Sequence, residues 1–305
     1  MSLTMVVPKP SRGIALTEAV VANLIWASSF VLIKQGLEYA GPLTLAGLRY
    51  FLAFLLLVPL MAQRGSFKAS YSPALWLRLF LLGLSAYTVG NGAMFWALKT
   101  LPATTGSFTM SLMPILVVGL SIVWLREIPT GLQLLGMLIG IGGSLFFFSP
   151  GGQTADPGGL LMALVALLGF TVFGVLGREV ARDHQMGVLA MTALPLALGG
   201  GLLLLIALWV EGVPRMPLTA WGIVLWLAVV NTAFAYVVYN HSLQELTALE
   251  MTVLLNLSPF ATALMAWWLL GETLTAIQLV SMVVVIAGVM MVQLSTPAAA
   301  KKEAP

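Results

Sequence analysis

Long apolar stretches, separated by short polar connections, make up almost the whole chain. A helix needs about 20 mostly apolar residues to cross a bilayer. Ten stretches have about that length, at residues 14–34, 43–62, 74–97, 103–124, 131–149, 158–177, 187–210, 219–240, 249–269 and 275–293. Their length and their lack of polar–apolar alternation argue against the strands of a membrane β-barrel. The pattern therefore predicts an all-α integral membrane protein with ten transmembrane helices.

The composition agrees with a chain buried in lipid. Hydrophobic residues make up 60% and charged residues 8% of the 305 positions, whereas a soluble protein averages about 25% charged residues. The net charge of +3 is explained by membrane topology, so we expect the lipid bilayer, and no nucleic acid, as a partner. Because the chain has no cysteine and two histidines, it lacks the usual ligands of a tetrahedral metal site. We expect no metal and no cofactor.

Lysine and arginine residues are unevenly distributed between the two ends of the predicted helices. Ten lie on the side that both termini share: Lys9, Arg12, Arg64, Lys68, Arg78, Arg126, Arg178, Arg182, Lys301 and Lys302. Three lie on the other side, namely Lys34, Lys99 and Arg215. Because positive residues favour the cytoplasmic side, both terminal tails, residues 1–13 and 294–305, are predicted to be cytoplasmic.

The two halves of the chain resemble each other at a constant offset. Four pairs of identical residues are 145 positions apart: Pro114 and Pro259, Glu127 and Glu272, Gln133 and Gln278, and Gly143 and Gly288. This offset divides the chain into two repeats of five predicted helices, at residues 14–149 and 158–293. Because five is odd, the second repeat must enter the membrane from the opposite side. We therefore predict an inverted repeat, as in many secondary transporters, whose substrate site lies between the repeats.

Several motifs resemble those of a known transporter family. They are WLREIPTGLQLLGMLIGIGGSL at residues 124–145, its counterpart WLLGETLTAIQLVSMVVVIAGVMM at 268–291, Trp26 in NLIWASSFVLIK, and Arg49 in PLTLAGLRYFLAF. Together they resemble the EamA-type members of the drug/metabolite transporter superfamily, most closely the bacterial aromatic amino acid exporters. The resemblance implies a multi-pass protein of the bacterial inner membrane that exports a small molecule and is not an enzyme.

Polar and aromatic side chains inside the predicted helices are the candidates for a substrate cavity. Polar groups are costly in hydrocarbon, so they usually face the helix bundle or a water-filled space. The predicted cavity residues are Trp26, Tyr87, Asn91, Ser107, Ser111, Thr171, Tyr236, Asn240, Thr252 and Asn256. Asn23 and Phe30 share the face of Trp26. These residues assign the cavity to the first, third, fourth, sixth, eighth and ninth helices. For any single serine or threonine, a bond to its own helix backbone is the alternative interpretation.

Two prolines and three charged residues have separate expected roles. Pro114 and Pro259 each remove a backbone hydrogen bond, and we predict that they are paired hinges. Glu127 is predicted to be a structural charge that favours the N-terminus of the helix after it, with Glu272 as its counterpart in the second repeat. Arg49 lies well inside the second predicted helix. We interpret it as structural, with a partner for a substrate carboxylate as the alternative.

These observations predict a secondary transporter that exports small amphipathic metabolites by alternating access. Aromatic and other neutral amino acids are favoured, because Trp26, Tyr87, Tyr236 and Tyr239 can supply ring faces. One alternative is a broader drug, metabolite or organic-cation exporter of the same superfamily. Another is a lipid-modifying enzyme, but no charged catalytic cluster and no catalytic residue is visible. The small residues Gly136 and Gly140 favour close helix packing or a homodimer.

Overall fold

A computed structural model describes residues 10–63, 71–148, 156–183, 185–255, 257–270 and 275–294 of the chain. The regular structure of these residues is entirely helical. The helices are α1 (Arg12–Gly36), α2 (Pro42–Gln63), α3 (Pro73–Ala97), α4 (Ala103–Thr109), α5 (Met113–Trp124), α6 (Gly131–Phe148), α7 (Pro157–Arg182), α8 (Val188–Val210), α9 (Leu218–Ser242), α10 (Ala248–Leu255), α11 (Ser258–Leu270) and α12 (Ala276–Leu294). The all-α prediction is confirmed for this part of the chain.

Seven of the helical segments are long and apolar enough to cross a membrane. They are α1, α2, α3, α7, α8, α9 and the stretch Ala248–Leu269, which contains α10 and most of α11. Three shorter apolar segments are Met113–Trp124, Gly131–Phe146 and Leu279–Val292. The predicted fourth span is not a single regular helix, because the 3₁₀ turn Met110–Leu112 separates α4 from α5.

Several helices begin at a side-chain cap that the sequence makes recognisable. Ser72 accepts a hydrogen bond from the backbone N–H of Leu75 at 3.2 Å, and Pro73 follows as the first residue of α3. Asp156 does the same for Gly159 at 2.7 Å, with Pro157 as the first residue of α7. Serine and aspartate satisfy the N–H groups that have no partner in the first turn, and proline is tolerated there because it needs no partner.

The start of α6 is capped by side chains of its own first turn. Gln133 Oε1 accepts from the backbone N–H of Thr130 at 2.9 Å, and Thr130 Oγ1 accepts from that of Gln133 at 3.2 Å. This reciprocal pair is a capping box, so Thr130 and Gln133 cap α6. The electrostatic effect expected of Glu127 on this N-terminus stays a prediction. Glu127 accepts a hydrogen bond from Arg178 Nε at 3.1 Å, which joins the end of α5 to α7. Glu272 lies outside the described residues.

Three of the long helices contain π-helical stretches that the sequence did not predict. They are Leu84–Asn91 in α3, Leu196–Gly200 in α8 and Val229–Phe234 in α9. In α3 and α9, a side chain of the π-helical stretch binds a backbone carbonyl five residues back. Asn91 Nδ2 donates to the carbonyl of Ala86, and Thr232 Oγ1 donates to that of Leu227, both at 2.8 Å. Such local widening of a helix is frequent at functional sites.

Polar side chains lie inside the bundle, and many large apolar ones lie on its outside. Asn23, Asn231 and Thr232 are fully buried, whereas the side chains of Trp209 and Leu218 are each 87% exposed. In a soluble protein, large exposed apolar surfaces are rare and mark contact with a partner or a membrane. This distribution agrees with the predicted lipid environment.

Glycines allow the helices α6 and α12 to pack in close contact. A Cβ atom added to Gly288 would lie 2.6 Å from the carbonyl oxygen of Gly136 and 2.6 Å from the backbone nitrogen of Gly140. Since both neighbours are backbone atoms, only glycine fits at this position. The small residues of α6 thus pack within the chain, and a homodimer stays a prediction.

Candidate functional site

A cavity of about 130 Å³ lies in the interior of the bundle. We call it the central cavity. It is lined by Asn23, Trp26, Ser29, Phe30, Ile33, Arg49, Asn91, Met94, Phe95, Ser107, Met110, Met113, Phe170, Phe173, Tyr236, Tyr239, Leu255 and Ser258. These residues come from all six predicted cavity helices and, through Arg49, from α2.

Aromatic rings form one wall of the central cavity. The ring of Trp26 lies 4.8 Å from that of Tyr236 and 5.1 Å from that of Tyr239, measured between centroids. Phe173 stacks on Tyr239 at 5.9 Å with an angle of 19° between the rings. Trp26 Nε1 donates to the carbonyl of Asn231 at 3.0 Å, which fixes the indole in place. The wall offers ring faces to an apolar or aromatic ligand.

Arg49 is the charged residue among those that line the cavity. It is 2% exposed, and its Nε donates to Thr232 Oγ1 at 2.7 Å. Its Nη2 donates to the carbonyl of Asn231 at 2.9 Å and to Ser29 Oγ at 3.4 Å. The carbon of its guanidinium lies 5.0 Å from the ring centroid of Tyr50. These contacts are all to neutral groups.

Two further polar groups of the cavity are buried without a hydrogen-bond partner among the described residues. Asn23 Nδ2 donates to the carbonyl of Leu254 at 3.0 Å, but its Oδ1 has no partner. The Oγ of Ser258 also has none. Buried polar atoms are nearly always hydrogen-bonded, so an unpaired one needs an explanation. Both can bind a ligand.

The structure brings four of the ten predicted cavity residues to the cavity wall. Trp26, Asn91, Ser107 and Tyr236 line it. Tyr87 lies one layer further out, where its ring is 5.2 Å from the ring of Tyr236 and 5.0 Å from that of Tyr50. It supports the aromatic wall from behind.

Three other predicted residues are buried away from the cavity. Thr171 Oγ1 donates to the carbonyl of Leu167 at 2.8 Å, and Thr252 Oγ1 donates to that of Ala248 at 2.6 Å. Both are bonds to the preceding turn of their own helix, which is the alternative stated for such residues. Asn240 Nδ2 donates to Thr192 Oγ1 at 2.9 Å and so joins α9 to α8.

The remaining predictions concern residues near the breaks in the fourth and ninth spans. The side chain of Ser111, like Asn256, lies outside the described part of the structure. Pro114 is in the first turn of α5, directly after the 3₁₀ turn, and Pro259 is in the first turn of α11. Each proline follows a residue that lines the cavity, Met113 or Ser258.

Most of the lining residues that sequence reasoning missed are apolar. They include Ile33, Met94, Phe95, Met110, Met113, Phe170, Phe173 and Leu255. Nothing in a membrane sequence separates an apolar residue that faces a cavity from one that faces lipid. Ser258 had a usable signal, because it directly precedes the repeated Pro259.

Comparisons with known proteins agree on a transporter. The model of the EamA-like transporter family matches the chain twice, at residues 13–149 and 157–294. A relative from Archaeoglobus fulgidus, named as an uncharacterized transporter, is 31% identical over 87% of this chain and 92% of its own length. The uncharacterized inner membrane transporter YedA of Escherichia coli K12 is 26% identical over 89% of this chain and 88% of its own.

Two further comparisons bear on substrate and fold. An S-adenosylmethionine/S-adenosylhomocysteine transporter from Chlamydia trachomatis serovar L2 is 26% identical over 87% of this chain and 84% of its own. A solved crystal structure with 18% sequence identity has a TM-score of 0.76 and covers 93% of this chain and 98% of its own, which supports the fold. The names of the three relatives indicate transport; none of them names an aromatic amino acid.

Proposed function

Because the chain belongs to the EamA-like transporter family, we propose that it is a secondary transporter of the bacterial inner membrane. It exports small amphipathic metabolites, with aromatic and other neutral amino acids as the favoured substrates. The observation that carries this proposal is the lining of the central cavity. It combines the rings of Trp26, Tyr236 and Tyr239 with a small number of polar side chains. A ligand site of this kind is mostly apolar, and a small number of polar groups fix the orientation of the ligand.

The proposed transport cycle is alternating access between two inverted repeats. The double match of one family model supports the duplication. The helix packing also supports it. In the bundle, α1 packs on α9 and on α11. The equivalent helices of the other repeat pack in the same way, because α7 packs on α3 and on α5. The helices α2 and α8, and likewise α6 and α12, each pack on their own equivalent. This is the arrangement that a two-fold axis in the membrane plane produces.

The prolines are the proposed hinges of this cycle. Pro114 and Pro259 are equivalent in the two repeats, and each begins a helix beside the central cavity. A proline cannot donate the hydrogen bond that would hold the helix to its preceding turn. Each hinge can therefore change the helix direction at the level of the substrate, once in each half of the bundle.

A broader metabolite exporter is the second candidate, favoured by the S-adenosylmethionine/S-adenosylhomocysteine transporter among the relatives. The size of the cavity distinguishes the two. Its volume of about 130 Å³ is well below the roughly 300–1,000 Å³ of sites for drug-sized ligands. The cavity as described therefore suits a molecule of amino-acid size better than a nucleoside-bearing one.

A transport assay with purified protein in liposomes tests the proposal. The liposomes are loaded with unlabelled substrate, and the uptake of labelled L-phenylalanine, L-tryptophan, L-leucine or S-adenosylmethionine is followed. We expect saturable exchange, dependent on the protein, for at least one aromatic amino acid, and none in empty liposomes. Exchange of S-adenosylmethionine alone would favour the second candidate. No exchange of any neutral amino acid would contradict the proposed substrate class.

A further inference from the structure

The geometry of the central cavity points to Arg49 as its anion-binding residue. We propose that the transported molecule carries a carboxylate, which binds the guanidinium of Arg49 while the apolar part of the molecule lies against Trp26. The inference rests on the proposed function and deepens it, since it names the chemical class of the substrate. It develops the alternative interpretation of Arg49 that the sequence left open.

The guanidinium has donors left for a ligand. An arginine side chain carries five N–H donors and no acceptor. Arg49 uses Nε and Nη2 for three hydrogen bonds, to Thr232 Oγ1, the carbonyl of Asn231 and Ser29 Oγ. The two N–H groups of Nη1 are not used in these bonds. Arg49 is thus held in place through Nε and Nη2. The N–H groups of Nη1 are available to a ligand in the cavity that Arg49 lines.

The charge balance around Arg49 also indicates an anionic ligand. No aspartate or glutamate is among the described residues that line the cavity. Along the whole sequence, the 11 acidic residues lie in the tails, in the connections or near the ends of the predicted helices. A buried charge without a counterion is costly, and an ionisable group inside a membrane usually marks a functional site. A substrate carboxylate would neutralise Arg49 and accept a charge-assisted hydrogen bond from Nη1.

The opposite end of the cavity is built for a hydrogen-bond donor. Asn23 is fully buried, and its Oδ1 has no partner. Ser29 accepts a hydrogen bond from Arg49 and lies six residues after Asn23 on α1. Six residues correspond to about 9 Å along a helix. Trp26 lies halfway between Asn23 and Ser29. The cavity therefore combines an anion site, a ring face and a hydrogen-bond acceptor, in that order along one helix face.

A ligand series with purified wild-type protein tests this inference. The probes are L-phenylalanine, 3-phenylpropanoate, which lacks the ammonium group, and phenethylamine, which lacks the carboxylate. We expect both carboxylates to bind at least ten-fold more tightly than phenethylamine. In Arg49→Gln, the affinity for phenylalanine divided by the affinity for phenethylamine should fall to about one. Arg49→Lys should restore part of the preference for phenylalanine. Arg215→Gln, which removes an exposed positive charge, should leave the ratio unchanged.

The possible results separate this inference from the proposed function. If the wild-type protein binds phenethylamine as tightly as phenylalanine, the inference is overturned while transport of aromatic compounds stands. It is also overturned if Arg49→Gln weakens all three probes equally, because that is the effect of a structural residue. If Arg49→Gln does not fold, the wild-type series and Arg49→Lys still decide. Failure to exchange any amino acid in the liposome assay would overturn the proposed function itself, together with this inference.

Discussion

Trp26 links the sequence of α1 most directly to the chemistry of the cavity. The spacing of Asn23, Trp26 and Phe30 predicts one helix face, and all three line the cavity. The backbone carbonyl of Asn231, in the π-helical stretch of α9, accepts the indole N–H at 3.0 Å. That bond holds the ring face towards the cavity, so a ligand does not have to order the side chain when it binds. A fixed ring costs little conformational entropy on binding.

We predict that Trp26→Leu weakens the binding of an aromatic substrate about two- to ten-fold, because aromatic contacts contribute roughly 0.5–1.5 kcal/mol beyond area burial. Trp26→Phe should lose less, since it keeps a ring but not the hydrogen bond to Asn231. Trp209, which is 87% exposed, supplies the control Trp209→Leu, and this variant should bind like the wild type. Equilibrium binding of labelled L-phenylalanine in detergent measures all three. Equal losses in Trp26→Leu and Trp209→Leu would show that the wall is not a ligand contact.

At the residue scale, the sequence identified aromatic groups of the cavity better than small polar ones. Trp26 and Tyr236 line it, whereas Thr171 and Thr252 hydrogen-bond to their own helices. The physical reason is that a threonine hydroxyl can be satisfied locally by the carbonyl four residues back. A large ring has no such local option and must find space between helices. Which apolar residues face the cavity was not predictable, because lipid and a dry cavity select the same side chains.

At the scale of elements, the helices and their starts were predictable, but their internal geometry was not. Proline after serine or aspartate marks the starts of α3 and α7. The π-helical stretches Leu84–Asn91 and Val229–Phe234 have no such signal. They depend on neighbouring helices and on bonds from Asn91 and Thr232 to carbonyls five residues back. Their first residues are 145 positions apart, the offset of the repeat, so both halves widen the same helix at the same place.

The pairing of α6 and α12 supports a prediction about stability. Gly288→Ala should lower the thermal stability of the purified protein, because the new Cβ would meet backbone atoms of Gly136 and Gly140 at 2.6 Å. Backbone atoms cannot move aside as a flexible side chain can. We therefore expect the overpacking to lower the free energy of unfolding by about 1–3 kcal/mol. In α5, Gly119 has open space around its missing Cβ. Gly119→Ala should be neutral or slightly stabilising, since alanine favours a helix by up to about 1 kcal/mol.

The thermal stability of both glycine variants is measured by heating them in detergent and then running size-exclusion chromatography. The readout is the temperature at which half of the monodisperse peak is lost. A stable Gly288→Ala protein with wild-type behaviour would mean that α6 and α12 are further apart than described. A loss in both variants would indicate a general intolerance of the bundle to alanine, unrelated to the contact between these two helices.

At the scale of the whole molecule, ion pairs connect helix ends on the side predicted to be cytoplasmic. Glu250, at the start of α10, pairs with Arg12 of α1 at 2.6 Å. Glu18 Oε1 of α1 also lies 2.9 Å from Nδ1 of His241 in α9. Arg78 of α3 also contacts two acidic residues at the end of α7, Glu179 at 3.3 Å and Asp183 at 3.2 Å. These contacts cross between the two predicted repeats, so opening the cavity to the cytoplasm in the proposed alternating-access cycle would require some of them to separate.

We therefore predict that Arg12→Gln makes the central cavity more accessible from the cytoplasmic side. The side chain of Arg12 is 34% exposed and that of Glu250 is 1% exposed. Water screens such a pair in part. We expect the pair to stabilise the state closed to the cytoplasm by a free energy near the upper end of about 0.2–1 kcal/mol. That corresponds to a two- to five-fold change in the population of the open state. The chain has no native cysteine, so Met110→Cys places a single reporter at the cavity.

The labelling rate of that cysteine by a membrane-impermeant thiol reagent is measured from each side, in inside-out and right-side-out vesicles. Arg12→Gln should raise the cytoplasmic rate two- to five-fold and lower the opposite rate. Glu250→Gln should act more weakly, because the glutamine amide oxygen can still accept a hydrogen bond from Arg12 as well as the one that Thr247 N–H donates at 2.8 Å to cap α10. Arg215→Gln, at the predicted outer side, should leave the cytoplasmic rate unchanged. An increase from the outer side in Arg12→Gln would contradict either the predicted orientation of the termini or the role of this pair in closing the cytoplasmic side. Asp183→Cys places a single cysteine at an exposed position directly after α7. Its labelling reports the orientation independently, so the two explanations can be separated.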